Sequence, residues 1–299
     1  MSDAALPAQW AAEFPFAAQW FDRGDGVRMH YLDEGAGPPV VMLHGNPTWS
    51  FYYRKLVLAL RDAHRCLVPD HVGMGRSDKP ADERYAYTLA NRVADLTAWL
   101  DSLALSAPVT LVVHDWGGMI GMAWAAAHPE RVARLVILNT AAFGLPATKR
   151  FPWPLALTRT PLGTLLVRGF NGFSWTATWA AMARTRMPAS IAAAYTWPYG
   201  SWGDRVATLR FVQDIPLRTG DPGFEIVQAT ADKLGVFAQT PTLVVWGGKD
   251  WVFDDHFLAE WKRRLPHATV RYLADAGHYV LEDAAPEVVP AVVSFIRGD

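Results

Sequence analysis

Val112-Val113-His114-Asp115-Trp116-Gly117-Gly118 is the stretch on which the reading of this 299-residue chain turns. It closes an apolar run, 109–113, rich in β-branched residues, and opens an Ala/Gly-rich run, 118–128, whose spacing suits a helix packed closely on a sheet. Strand, sharp turn and helix in that order have the form of the nucleophile elbow G-x-S-x-G, with Asp115 in the serine's place and Val113 in place of the first glycine. The nucleophile position therefore holds a carboxylate. With an ordinary pKa of about 3.9 it is ionised at neutral pH and needs no base before it attacks. Attack on an sp³ carbon bearing a leaving group makes an ester whose carbonyl belongs to Asp115, and hydrolysing that ester takes water activated by a separate base. The rest of the chain then has to supply a histidine, an acid to orient it, and donors for the leaving group.

Outward from the elbow, the chain alternates strands and helices. Strands are expected at 17–22 and 27–34, joined as a hairpin by Gly24-Asp25-Gly26, then at 39–43 and 65–69 ahead of the elbow strand, and at 132–138, 242–246 and 269–273 after it. Helices are expected at 51–60, 89–103, 118–128, 255–264 and 286–297. This pattern implies a mostly parallel eight-stranded sheet covered by helices on both faces, with chemistry at the carboxyl ends of the strands. The alternation stops from Phe143 to about Asp214, where aromatics, proline and glycine dominate and short helices are expected at 161–167, 175–183 and 190–195. Too small and apolar to stand alone, this stretch reads as a helical cap over something else. The organisation is thus 1–142 and 216–299 as two parts of one α/β core, with the cap at 143–215.

In chain order, Asp115, Asp250 and His278 each follow a predicted strand, the order nucleophile, acid, base of the α/β-hydrolase fold. His278 would activate water, and Asp250 would hold the imidazole in the useful tautomer and stabilise its charge. Asn139, after the sixth strand, cannot serve as the acid. Backbone N–H groups of Asn46 and Trp116 would form an oxyanion hole, and the Asn46 amide and Trp116 indole N–H would converge beside Asp115 where a leaving group develops charge. Alone, Asp115 reads as a helix N-cap and Asp250 as an ordinary loop acid; together with Asn46 and His278 they read as catalytic. Trp116 also has a plain reading as packing against the cap. His44 and His114 accompany the turns without an assigned chemical role, and Gly73-Met74-Gly75 lacks the rest of a phosphate loop and reads as a structural turn.

Composition narrows the partners. A hydrophobic fraction of 51% with 14 tryptophans makes the chain globular, and a formal net charge of −1 gives no electrostatic reason to expect nucleic acid or an anionic membrane. Cys66 is the single cysteine, so no internal disulfide forms, and its apolar run points to a buried thiol. Residues 1–16 lack the features of a signal peptide and no apolar run reaches the length of a membrane span, which reads as a cytoplasmic protein.

The segments VMLHGNPTWS (41–50), DHVGMGRSDKP (70–80) and VHDWGG (113–118), with the acid and histidine that follow, resemble the haloalkane dehalogenase family over essentially the whole chain. Asn46 with Trp116 as the leaving-group pair, and Asp250 after the seventh strand, are similar to that family's third subgroup, whose members resemble the β-lactone decarboxylases of bacterial long-chain olefin biosynthesis. The cap segment YTWPY (195–199) looks like those decarboxylases. The resemblance implies a cap over an α/β-hydrolase core, a hydrophobic small-molecule substrate, no metal or cofactor, and room for assembly with other olefin-pathway enzymes. It implies conversion of a cis-3-alkyl-4-alkyl β-lactone to a cis-alkene and CO₂, the alternative being hydrolysis of a haloalkane to alcohol and halide. An epoxide hydrolase comes third: Tyr195 and Tyr199 would suit ring opening, but Asn46 replaces the apolar residue those enzymes usually carry. A non-catalytic ligand receptor on the same fold is the rival from another class.

Overall fold

The structure is a computed structural model that describes residues 6–298; residues 1–5, the start of the segment read for a leader, lie outside it. Eight strands form one sheet: β1 (Gln19–Asp22), β2 (Arg28–Glu34), β3 (Pro39–Leu43), β4 (Arg65–Pro69), β5 (Val109–Asp115), β6 (Val132–Thr140), β7 (Thr242–Gly247) and β8 (Thr269–Leu273). Their order is β1-β2-β4-β3-β5-β6-β7-β8. The two pairings made by β2 are antiparallel and all others parallel. The expected hairpin is present, with Gly24 and Gly26 both at positive φ in its turn.

Helices α1 (Arg54–Leu60), α2 (Leu89–Ser102) and α3 (Trp116–Ala127) follow β3, β4 and β5. Between β6 and β7 lie α4 (Trp153–Leu157), α5 (Pro161–Thr164), α6 (Gly172–Ala180), α7 (Ala189–Thr196), α8 (Val206–Gln213) and α9 (Phe224–Lys233); α10 (Asp255–Arg264), α11 (Val280–Asp283) and α12 (Ala285–Arg297) complete the chain. Four of these helices, α4, α8, α9 and α11, fall where the sequence reading assigned none. The helix expected at 161–167 is α5 running on into a wider π-type turn, Leu165–Gly169.

The central strands are apolar throughout because parallel strands are covered on both faces. Their side chains alternate between two cores with the two-residue period of a strand. Val41, Leu43, Leu111 and Val113 join one core with Trp99 of α2, Ile120 of α3 and Trp261 of α10. Val40, Met42, Val112 and Val136 join the other with Leu56 of α1 and Val292 of α12. Close approach of α3 to the sheet requires glycine at position 117, where a Cβ would lie 2.6 Å from the Leu43 carbonyl carbon and closer still to its oxygen. The segment holding α4 to α8 contacts the loops that leave the carboxyl ends of the sheet: Trp49 Nε1 donates to Ala194 O, and the Tyr279 N–H donates to Ala181 O. No helix among the described residues is long and apolar enough to cross a membrane.

Candidate active site

Asp115 closes β5 and Trp116 opens α3, with no residue between them. The turn is so abrupt that Asp115 takes φ 50°, ψ −125°, a backbone state that costs a non-glycine residue on the order of 1–3 kcal/mol and persists only where its surroundings enforce it. Here Thr140 Oγ1 donates to the Asp115 carbonyl, and Gly117 and Gly118 let the helix start flush against β3 and Thr140. This geometry places the carboxylate at the carboxyl end of β5, where it is buried.

The Asp115 carboxylate is met from both sides. Its Oδ1 accepts the Asn46 backbone N–H at 2.6 Å, and the Trp116 backbone N–H also favours its charged form. One of the two expected oxyanion donors, the Asn46 N–H, thus holds Asp115's own oxygen. Its Oδ2 lies 3.7 Å from Nε2 of His278, whose Nδ1 is 2.6 Å from Asp250 Oδ2. Asp250 is fixed in turn: Oδ1 accepts the N–H groups of Val252 and Phe253 at 2.8 and 3.1 Å. Phe253 stacks on the His278 ring at 5.8 Å. With Asp250 accepting, Nδ1 of His278 carries hydrogen and Nε2 faces Asp115.

Burial raises the Asp115 pKa, against the opposing pull of His278 and the two N–H bonds. Burial draws the His278 pKa down, but the Asp250 carboxylate, assisted by Asp115, overrides it and holds the imidazole above the usual histidine range. Three buried groups therefore share charge over two contacts, with the imidazole stabilised as a cation between two carboxylates.

Asn46 and Trp116, the candidate leaving-group donors, are also brought to this point, with one modification. Asn46, Asp115 and Trp116 line a single cavity, and the Trp116 indole, packed on Phe211 at 5.3 Å, has no protein acceptor for its N–H among the described residues. The Asn46 amide, however, donates one hydrogen to the Thr208 carbonyl of α8 at 2.9 Å, so it has one left for a ligand. Its Oδ1 is buried without a partner.

Sequence reasoning missed four supports. Asn139, at φ 31°, donates to Asp250 Oδ2 at 3.0 Å and exchanges hydrogen bonds with Gly247; its signal was an asparagine at a strand's end, a residue that tolerates positive φ. His114 holds the His278 carbonyl from below at 3.0 Å. His44 accepts the His71 N–H on Nε2 and bonds the Gly45 carbonyl through Nδ1, so it is a neutral pillar under the Asn46 turn. Asp70, accepting from Ser50, His30 and Arg76, organises the turn read as structural; those bonds hold its carboxyl well below the usual range despite burial.

Two other readings part ways: the tyrosine reading fails and the buried Cys66 holds. Tyr195 donates to Glu282 at 2.7 Å and Tyr199 to the Thr48 carbonyl at 3.3 Å, so neither hydroxyl is presented beside Asp115. Cys66 is fully buried, its thiol pushed up to about 12 by desolvation.

Residues 38–285 match the family model described as the alpha/beta hydrolase fold. The cis-3-alkyl-4-alkyloxetan-2-one decarboxylase of Shewanella oneidensis is 55% identical, the match covering 94% of this chain and 89% of that protein. Haloalkane dehalogenase of Mycobacterium marinum is 34% identical over 94% of each. Among solved structures, the haloalkane dehalogenase DbeA from Bradyrhizobium elkani superposes with a TM-score of 0.82 at 26% identity, over 95% of this chain and 98% of that one. An aspartate at the elbow, an imidazole behind it and a match along nearly the whole length leave one assignment: the chain belongs to the α/β-hydrolase family, with these decarboxylases and haloalkane dehalogenases among its relatives.

Proposed function

We propose that this protein decarboxylates a cis-3-alkyl-4-alkyl β-lactone to a cis-alkene and CO₂, with Asp115 as nucleophile and the segment 143–215 as cap. The observation that carries the reading is the 55% identity to a decarboxylase of that name, joined to an ionisable carboxylate at the mouth of an apolar cavity. Asp115 attacks the ring's alkyl carbon C4, whose bond to the ring oxygen breaks with inversion. The product is a C4 ester of Asp115 with a free carboxylate on C3. The strained ring supplies its own leaving group, and the free hydrogen of Asn46 with the Trp116 indole N–H receives it. Anti loss of CO₂ then turns the C3 carboxyl bond into the alkene π bond while the C4–O bond returns its electrons to Asp115. Inversion followed by anti elimination preserves the cis relation. His278, oriented by Asp250 and facing Asp115 at 3.7 Å, stabilises the departing Asp115 carboxylate when it is protonated.

The site also supports a second reading, haloalkane dehalogenation, because the same donors suit a halide and His278 is placed to activate water toward an Asp115 ester. Following oxygen separates the two. In ¹⁸O-water, turnover of a bromoalkane writes label into the Asp115 side chain, whereas alkene formation by the route above leaves the Asp115 peptide unlabelled by mass spectrometry. Label during alkene formation refutes elimination from the alkyl ester and favours attack at the lactone carbonyl. Rapid bromide release without any alkene overturns the decarboxylase reading. The two tyrosines that an epoxide hydrolase would use are bonded elsewhere, Tyr195 to Glu282 and Tyr199 to the Thr48 carbonyl. The cytoplasmic setting and assembly with other enzymes of olefin biosynthesis belong to the same proposal.

Trp116→Phe is expected to slow turnover by about 10² to 10³, the usual effect of losing one preorganised donor to a developing anion, with the fold unchanged. Asn46→Ala should slow it similarly and in addition lower stability by about 1–3 kcal/mol, because the Thr208 carbonyl loses its buried partner. Steady-state rates and thermal melts check both; wild-type rates in Trp116→Phe would make the indole a packing group only.

A further inference from the structure

Two apolar cavities meet at the catalytic pair. One, of about 110 Å³, runs from Asp115, Asn46 and Trp116 between Met119, Leu155 and Phe257. The other, of about 300 Å³, leads from His278 and Tyr279 beneath the helices of the 143–215 segment, past Leu157, Leu166, Ala177 and Ala180. Phe173 and Val252 line both and so form the ridge between them. Asp115 opens only into the first and His278 only into the second, yet their facing atoms are 3.7 Å apart. The two spaces therefore diverge from one reacting point. A substrate with a single unbranched chain fills one and leaves the other unused.

We infer that the two cavities each take one alkyl chain of a substrate branched at adjacent carbons, so that chain length is selected separately at the two positions. The inference rests on the lactone reading and adds to it where each chain lies. Apart from the catalytic groups, both walls are predominantly hydrocarbon, so they recognise length and bulk rather than polar substituents. Each methylene moved from water into such a wall raises kcat/KM about 3- to 4-fold until the cavity is full. The ridge keeps the chains apart and fixes the angle at which C3 and C4 sit before Asp115. The same arrangement gives the enzyme a means of accepting one long and one short chain, with the short one setting no requirement on its own cavity.

The test uses two regioisomers, cis-3-methyl-4-octyl and cis-3-octyl-4-methyl oxetan-2-one, with alkene formation as readout. Leu155→Trp narrows the first cavity and Ala177→Phe the second. Their effect is read as the ratio of kcat/KM for the two isomers, which should shift at least about tenfold in opposite directions. Met119→Phe and Ala180→Phe, at partly buried wall positions, repeat the test if the first pair does not fold. A ratio moved the same way by both narrowings, or by neither, in an enzyme that makes alkene from these lactones, overturns the two-cavity assignment alone. A wild-type enzyme that makes no alkene from either isomer overturns the lactone reading beneath it.

Discussion

With alanine at position 115, turnover of every substrate is expected to vanish, kcat/KM falling by about 10⁴-fold or more. No second nucleophile stands in the elbow: the nearest ionisable group is His278, which faces the carboxylate at 3.7 Å and is held there by Asp250. Assays with a cis-β-lactone and with a bromoalkane check this, and residual activity within tenfold of wild type would remove Asp115 from its role. Asp115→Asn separates chemistry from folding. Its side chain can still accept the Asn46 N–H, and the change removes a buried charge. Because burial raises the Asp115 pKa, the ionised form costs the native state stability at pH values above the folded pKa, a cost that fades as pH falls through it. At neutral pH the asparagine variant should therefore melt no lower than wild type. A clearly lower melting temperature would mean that the surrounding N–H groups and His278 repay the desolvation in full.

Gly117→Ala should have the largest effect on stability. The added methyl would collide with the Leu43 carbonyl, which is part of the backbone of β3 and cannot swing aside as a side chain would. Overpacking against such a neighbour belongs at the upper end of its usual range, about 3 kcal/mol, a fall in melting temperature of roughly 5 °C for a chain of this size. A fall under about 2 °C by circular dichroism would show that α3 can slide outward at little cost.

The contrast between what was and was not legible in the sequence follows from how local each signal is. β3, β4 and β8 were read to the residue because each is a short apolar run or alternation bounded by breakers. The elbow, with Asp250 and His278 after later strands, was legible for the same reason: each functional residue sits in a turn that its own neighbours define. Boundaries slipped where tertiary contact decides them, as at β6, which extends to Thr140 to carry the pairing with Asp115. The helix at α9 was missed because its apolar positions are spaced among polar residues and no strong cap marks its start. The roles of Asn139 and His114 come from partners 108 to 164 positions away, and no local pattern announces them. The tie from Asn46 to Thr208 spans 162 positions and was equally hidden. Tyr195 and Tyr199 mislead for the opposite reason, since their residue type suits a chemistry that their packing withholds.

The strand order has a consequence for how the molecule is made. On the ribosome, β6 emerges with its far edge unpaired, because the strand that covers it, β7, begins only at Thr242. About 100 residues of mostly helical chain separate the two, which at ordinary elongation rates leaves an apolar strand edge open for roughly 5–20 s. An uncovered edge is a template for pairing with another nascent chain. Until β7 and β8 dock, the polypeptide also has Asp115 without Asp250 or His278 beside it. Yield in a foreign host should thus depend on elongation speed and on chaperones that shield this edge, and the useful rescue is chaperone co-expression rather than a more stable finished protein.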